Sequence, residues 1–189
     1  KYQNQNNICR TYIGDGAMNN GQVFESFNLA ALWKLPVLYI IENNKYGMGT
    51  SVDRASAGSD LFKRGKPFGI NGEKVDGMNV FKVIEAAYRA GKFVRESKGP
   101  YILEVQTYRY RGHSMSDPAK YRTKKELDNY KSKDPIEIAH EEILKKKIFS
   151  EKELEKINKE VIKKIKDAAE YALESPFPNN EDLYTDVYI

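Results

Sequence analysis

The chain has 189 residues, 40% of them apolar and 31% charged, and a formal net charge of +4. This composition suits one ordinary soluble domain with an appendage, and no apolar run reaches the length of a membrane span. The Lys-rich part lies mostly beyond residue 120 and is interleaved with glutamates, which suggests a solvated helical surface and not a nucleic-acid footprint.

The opening KYQNQNN has the character of neither a signal peptide nor an Arg-rich transit segment. It runs directly into a strand without an initiating Met, so the sequence is expected to be a portion of a longer protein. Residues 8–13 read as a short buried strand. The single cysteine, Cys9, lies inside this ICRTYI run; it is expected as a buried core thiol in a reducing compartment, with no internal disulfide. The strand ends on Gly14-Asp15-Gly16, then two asparagines and another glycine. Those are the residues of a tight turn, and a turn accounts for them unless something pairs with Asp15.

Residues 22–34 place Val23, Phe27, Ala30 and Ala31 on one helical face. Pro36 stops that helix, and VLYII at 37–41 reads as a parallel strand buried on both faces. Strand, helix and strand together make a right-handed βαβ unit. Residues 42–77 are glycine-rich and read as loop. A helix follows over 79–97, with Val80, Val83, Ile84, Ala87 and Gly91 on its periodic face, and 101–108 alternates like another strand of the same sheet. Residues 109–122 form a basic loop without apolar periodicity. Helices are expected near 123–132, 135–147 and 150–174, before a Pro-rich tail. The fold class is therefore α/β, a parallel sheet with flanking helices over residues 1–122 and a helical C-terminal region over 123–189.

The second strand ends on Glu42-Asn43-Asn44-Lys45-Tyr46-Gly47. Parallel strands of a βαβ unit finish at the same sheet edge, so Asp15 and the asparagine pair should lie side by side where open α/β sheets bind ligands. Asp15 offers an anionic oxygen, an asparagine amide a neutral one, and a main-chain carbonyl near Tyr46 a third. So few oxygen ligands, with room for phosphate oxygens and water, suit Mg²⁺. Gly14 and Gly16 let the backbone approach an anion, and N–H groups near the next helix start point towards it.

G-D-G, 26 intervening residues and N-N resemble the thiamine diphosphate binding motif. The resemblance continues through NLAALWKLPVLYIIENNKYGMGTSV, KVDGMN at 74–79 and LEVQTYRYRGHSMSDP at 103–118. From about residue 8 to the tail, the chain is similar to the C-terminal half of the alpha subunits of pyruvate dehydrogenase first components, within the thiamine diphosphate-dependent 2-oxo acid dehydrogenase family. That resemblance implies a thiamine diphosphate-binding fold and oxidative decarboxylation of pyruvate, with acyl transfer to a lipoyl group. It also implies Mg²⁺ on Asp15, Asn44 and the main-chain oxygen of Tyr46, and diphosphate contacts from Gly16 and Ala17. His113, the implied catalytic and cofactor-contacting residue, would sit over the diphosphate on a mobile loop that includes Arg109 and Ser114. The implied partners are a beta subunit, which carries the glutamate that activates the cofactor, in an alpha2-beta2 heterotetramer, and a lipoyl-bearing acetyltransferase core. This portion alone is expected to be inactive.

Mitochondrial members carry a second serine between the Asp-Pro and Tyr-Arg of the loop, whereas DPAKYR has none and is a residue shorter. This leans towards a bacterial, cytoplasmic enzyme, with the mitochondrial matrix as the alternative. Other readings are a branched-chain 2-oxo acid or acetoin dehydrogenase alpha subunit, or a non-catalytic assembly module. His140 reads as structural, Glu25 as a solvent or interface carboxylate, and Trp33, Phe24 and Phe27 as core or interface residues. Neither nucleic acid nor membrane is an expected partner.

Overall fold

The computed structural model describes residues 6–96 and 98–187, so most of the opening KYQNQNN lies outside the described residues. The chain divides into two compact units, the first ending at Ala139 and the second beginning at His140.

The first unit is an α/β layer structure. Its elements are β1 (Cys9–Gly14), α1 (Gly21–Leu32), β2 (Val37–Asn43), β3 (Tyr46–Gly47), β4 (Thr50–Ser51), α2 (Val52–Ala55), β5 (Asn71–Asp76), α3 (Val80–Arg95), β6 (Tyr101–Gln106) and α4 (Lys124–Lys131). Four strands pair in the order β1-β2-β6-β5, all parallel. The expected βαβ unit is present. Phe27 of α1 is fully buried, edge-to-face with Tyr39 of β2 at 4.8 Å, and packs with Met18, Ile41 and Ile102 on one side of the sheet. On the other side Leu38, Val75 and Leu103 meet Ala86, Ala90 and Val94 of α3. Each large side chain so buried contributes roughly 1.5–3 kcal/mol. The two clusters alternate along β2, and together they explain its uninterrupted apolar run.

Four expectations need correction. Cys9 is exposed, because β1 is an edge strand and the Cys9 side lacks a covering layer among the described residues. The segment 42–77 is not all loop, since β5 lies in it and pairs with β6. Its sequence, NGEKVD, has little apolar character because it too is an edge strand. Third, the inner face of α3 is shifted from the expected one: Gly91 is buried and Val83 and Ala87 pack inward as expected, but Ala86, Ala90 and Val94 are buried beside them, while Val80 and Ile84 are exposed. Small residues let the helix approach the sheet closely, so Ala and Gly mark its inner face better than Ile does. Finally, β6 does not alternate. Ile102, Leu103 and Glu104 are all buried, because a central strand is covered on both faces.

α5 (Pro135–Lys145) and α6 (Glu151–Glu174) follow. In the second unit, the Ser150 N–H donates to Glu153 at 2.8 Å to close a capping box. His140 Nε2 lies 3.1 Å from Glu151, in keeping with a structural role. The surface of α6 carries i,i+4 pairs such as Lys163–Asp167 at 2.7 Å. Among the described residues, no helix is long and apolar enough to cross a membrane.

Candidate functional site

The registers of the central strands bring the two turns together. Gly14 pairs with Glu42, so Asp15 and the Asn43-Asn44 pair emerge side by side at the carboxyl ends of β1 and β2. Asp15 is only 4% exposed. Burial pushes its carboxyl above the usual carboxylate range, opposed by its own N–H, the Asn44 N–H, and the positive charges of Arg109 and Lys45. A carboxylate in this position gains from any further cation beside it.

The two turns touch backbone to backbone. A Cβ on Gly47 would lie 3.2 Å from the Cα of Gly16 and 3.8 Å from Asp15 Oδ2, so glycine at both positions permits the approach. Gly16 itself has ordinary helical angles (φ −65°) and starts a single 3-10 turn over Ala17–Asn19. That turn separates the motif from α1. Lys45 (φ 77°) and Met48 (φ 54°) hold left-handed conformations on either side of Tyr46-Gly47, a costly geometry for residues with side chains and one that clusters at ligand sites.

The asparagine pair divides its work. Asn43 is fully buried, and its Nδ2 donates to Glu104 Oε1 at 2.8 Å. The other Glu104 oxygen accepts the Phe62 N–H at 3.0 Å. Asn44 faces the site: its N–H reaches Asp15, and its Oδ1 accepts the Tyr46 N–H at 3.2 Å. Sequence reading did not pick out Glu104. Its one signal was a carboxylate in an otherwise apolar central strand.

Arg109 joins the basic loop to these turns. Its guanidinium donates to Tyr46 O at 3.0 Å, to Met48 O at 2.6 Å and to the Tyr121 hydroxyl at 2.8 Å. Asp117 folds the loop by accepting the N–H groups of His113 at 2.7 Å and Ala119 at 2.8 Å, plus the Tyr121 hydroxyl at 2.8 Å. These donors hold its carboxyl below the usual range. Gly112 leaves space for the Asp117 backbone that a Cβ would fill. Arg122 donates to the carbonyls of Arg109 and Tyr110. His113 and Ser114 are exposed, with Ser114 Oγ 3.1 Å from Ser116 Oγ. The loop's tie to the strand ends thus runs through Arg109 and not through His113.

Behind the loop stands a tyrosine cluster that sequence reading also missed. Tyr46 and Tyr108 are buried, and both hydroxyls donate to Glu126 Oε1, at 2.8 and 2.9 Å. Burial first and Glu126 second raise the Tyr46 phenol to about 12, so it remains a donor throughout the ordinary pH range. A cavity of about 880 Å³ runs along the β1–β2 side of the α3 face and reaches Asn44, Tyr108 and Arg109. No group of three or more His, Cys, Asp or Glu side chains suited to a metal occurs among the described residues. A cation at this edge would therefore rest on one carboxylate and neutral oxygens. The oxygens of Asp15, Asn44 and Tyr46 have that chemistry, and the Tyr46 oxygen already accepts from the Arg109 guanidinium at 3.0 Å.

The family model described as "Dehydrogenase E1 component" matches residues 1–181. Over 189 residues the chain is 52% identical to the "Pyruvate dehydrogenase E1 component subunit alpha" of Rickettsia bellii, covering 100% of this chain and 58% of that protein. It is 53% identical over 190 residues to the protein of the same name from Rhizobium meliloti, covering 100% of this chain and 55% of that one. Identity to the somatic, mitochondrial form of Bos taurus is 48% over 190 residues, with 100% and 48% covered. The chain spans about half the length of the curated relatives it matches.

Proposed function

The chain belongs to the dehydrogenase E1 component family, and from that premise we propose that it is the cofactor-anchoring part of a pyruvate dehydrogenase alpha subunit. The observation that carries the reading is the buried Asp15 carboxylate, set against the Asn44 N–H and the Gly16–Gly47 contact at the ends of adjacent parallel strands. Asp15, Asn44 Oδ1 and the Tyr46 main-chain oxygen would hold Mg²⁺. Gly16 and Ala17 would offer backbone N–H groups to the diphosphate of thiamine diphosphate. When bound, this cofactor supplies the electron sink that lets a 2-oxo acid lose CO₂.

The rest of the work falls to the chain's own residues. Asp15 would supply the one charged oxygen to the metal, and the strand ends, fixed by the sheet register, hold that carboxylate in place. The loop 109–122 is tethered by Arg109, and its exposed His113 would bind the diphosphate side and limit water if the loop closed over the site. A cation on Tyr46 O would share or displace the Arg109 hydrogen bond, so metal binding and loop placement act on one atom. The names of the relatives support pyruvate over branched-chain 2-oxo acids or acetoin. The words "subunit alpha" in those names are in keeping with a further subunit; the partners proposed are a beta subunit, in an alpha2-beta2 assembly, and a lipoyl-bearing acetyltransferase core. The exposed Tyr12, Leu32, Trp33 and Tyr88 are suited to such contacts. The loop's lack of a second serine supports a bacterial, cytoplasmic setting.

Calorimetry on the complete alpha subunit assembled with its beta subunit tests the anchor. Asp15→Ala should abolish Mg²⁺-dependent thiamine diphosphate binding, and Asn44→Ala should weaken it less, because a neutral ligand is lost and not a charge. Unchanged affinity in Asp15→Ala would falsify the assignment. Turnover of pyruvate against branched-chain 2-oxo acids and acetoin by the same assembly separates the substrates, and absence of all turnover would favour an assembly module.

A further inference from the structure

Glu126 lies outside every stretch that carries the cofactor reading, in the first turn of α4. Its own backbone is pinned, since its N–H donates to Thr123 Oγ1 at 3.1 Å in the helix cap. A single oxygen, Oε1, then accepts two phenols, Tyr46 at 2.8 Å and Tyr108 at 2.9 Å. The two rings stand edge to face with centroids 6.3 Å apart, and Tyr130 of α4 stacks on Tyr108 at 3.9 Å. Arg122 completes the cluster over the Tyr108 ring.

What makes this more than a packing contact is where the two tyrosines lead. Tyr46 carries the main-chain oxygen at the strand-end turn, and its N–H is held by Asn44. Tyr108 is followed directly by Arg109, whose guanidinium donates to that same Tyr46 oxygen. One carboxylate oxygen therefore fixes the far ends of both residues whose backbones define the gap between the turn and the loop. A two-pronged hydrogen bond to a charged acceptor resists sideways movement of either ring more strongly than two separate neutral bonds would.

We infer that Glu126 is a positioning residue for the strand-end oxygen set, setting through Tyr46 and Tyr108 the spacing between the Tyr46 main-chain oxygen and the loop that begins at Arg109. It touches neither the oxygens nor a ligand and acts only through the two phenols. The inference rests on the cofactor reading above, and its test is built to fail separately from it.

In the complete alpha–beta assembly, thiamine diphosphate affinity is measured by calorimetry at fixed Mg²⁺, together with tryptic cleavage inside 109–122 and inside α6. Glu126→Ala should raise the half-saturation concentration about tenfold, since both phenols lose the charged acceptor they share and only part of that loss reaches the strand-end oxygens. Cleavage in the loop should accelerate while cleavage in α6 stays unchanged. Glu126→Gln, which retains an acceptor oxygen, should recover most of the affinity. The Tyr46→Phe/Tyr108→Phe double variant keeps both rings and should match Glu126→Ala, and adding Glu126→Ala to it should change nothing more. If Glu126→Ala does not fold, the phenylalanine pair decides: unchanged affinity there overturns the inference. So does equal acceleration of cleavage at both places, which marks general destabilisation. Asp15→Ala is the control on the underlying reading. Lost binding in Asp15→Ala with normal binding in the phenylalanine pair sinks the Glu126 role alone, whereas normal binding in Asp15→Ala sinks the site.

Discussion

At the strand ends, Asp15, Asn43 and Glu104 are buried, while Arg111, His113 and Ser114 of the loop at 109–122 are exposed. Both regions are polar, yet they keep their shape by different means. The strand ends inherit it from a parallel sheet whose registers fix where each turn emerges. Their hydrogen bonds lie in the interior, where an unpaired partner is expensive. The loop is held by one carboxylate, Asp117, and by two arginines on main-chain carbonyls, within reach of water at most points. A site assembled from one fixed wall and one adaptable wall can bind a ligand tightly and still admit it.

The strongest way to break this contrast is Glu104→Ala. It leaves the Asn43 amide and the Phe62 N–H without their partner in the interior, and should cost about 3 kcal/mol of unfolding free energy. Denaturant melts check this, and a loss below about 1 kcal/mol would mean that the interior reorganises freely around the gap. Gly47→Ala should come next. A Cβ only 3.2 Å from the Gly16 Cα meets backbone and not a flexible side chain, so the two turns must separate at about 1–2 kcal/mol. Cofactor affinity should fall with it, and an unperturbed melting temperature together with normal affinity would show that the contact is slack. The smallest effect on global stability is expected from Asp117→Ala. The melting temperature should barely move, while tryptic cleavage within 109–122 should rise about fivefold as the turn opens. A large drop in melting temperature there would erase the distinction between the two regions.

Much of the site was legible in the residue order. Gly14-Asp15-Gly16 and Asn43-Asn44 each follow an apolar strand, and a helix between parallel strands leaves both at one edge. That follows from chain geometry without knowledge of any contact. The loop could likewise be read from its basic, aperiodic composition, and α1 from the spacing of Phe27 and Ala30. These features are local, or depend on a single crossover rule, so the sequence by itself determined them.

What only the tertiary structure decided depends on partners far along the chain. Which asparagine faces inward follows from Glu104, sixty-one residues away, and no periodicity in ENNKYG reveals it. Edge position exposed Cys9 and kept β5 polar, and strand order is a property of the whole sheet. The inner face of α3 was set by how closely it approaches β6, which favours Ala and Gly over the larger Ile84. Glu126 reaches Tyr46 across eighty residues because α4 folds back beside the strand ends. Charge pattern alone gives such a glutamate the look of any solvated helix residue. Local spacing encodes which atoms can gather at an edge, while packing between distant elements decides which of them point into it and what holds them there.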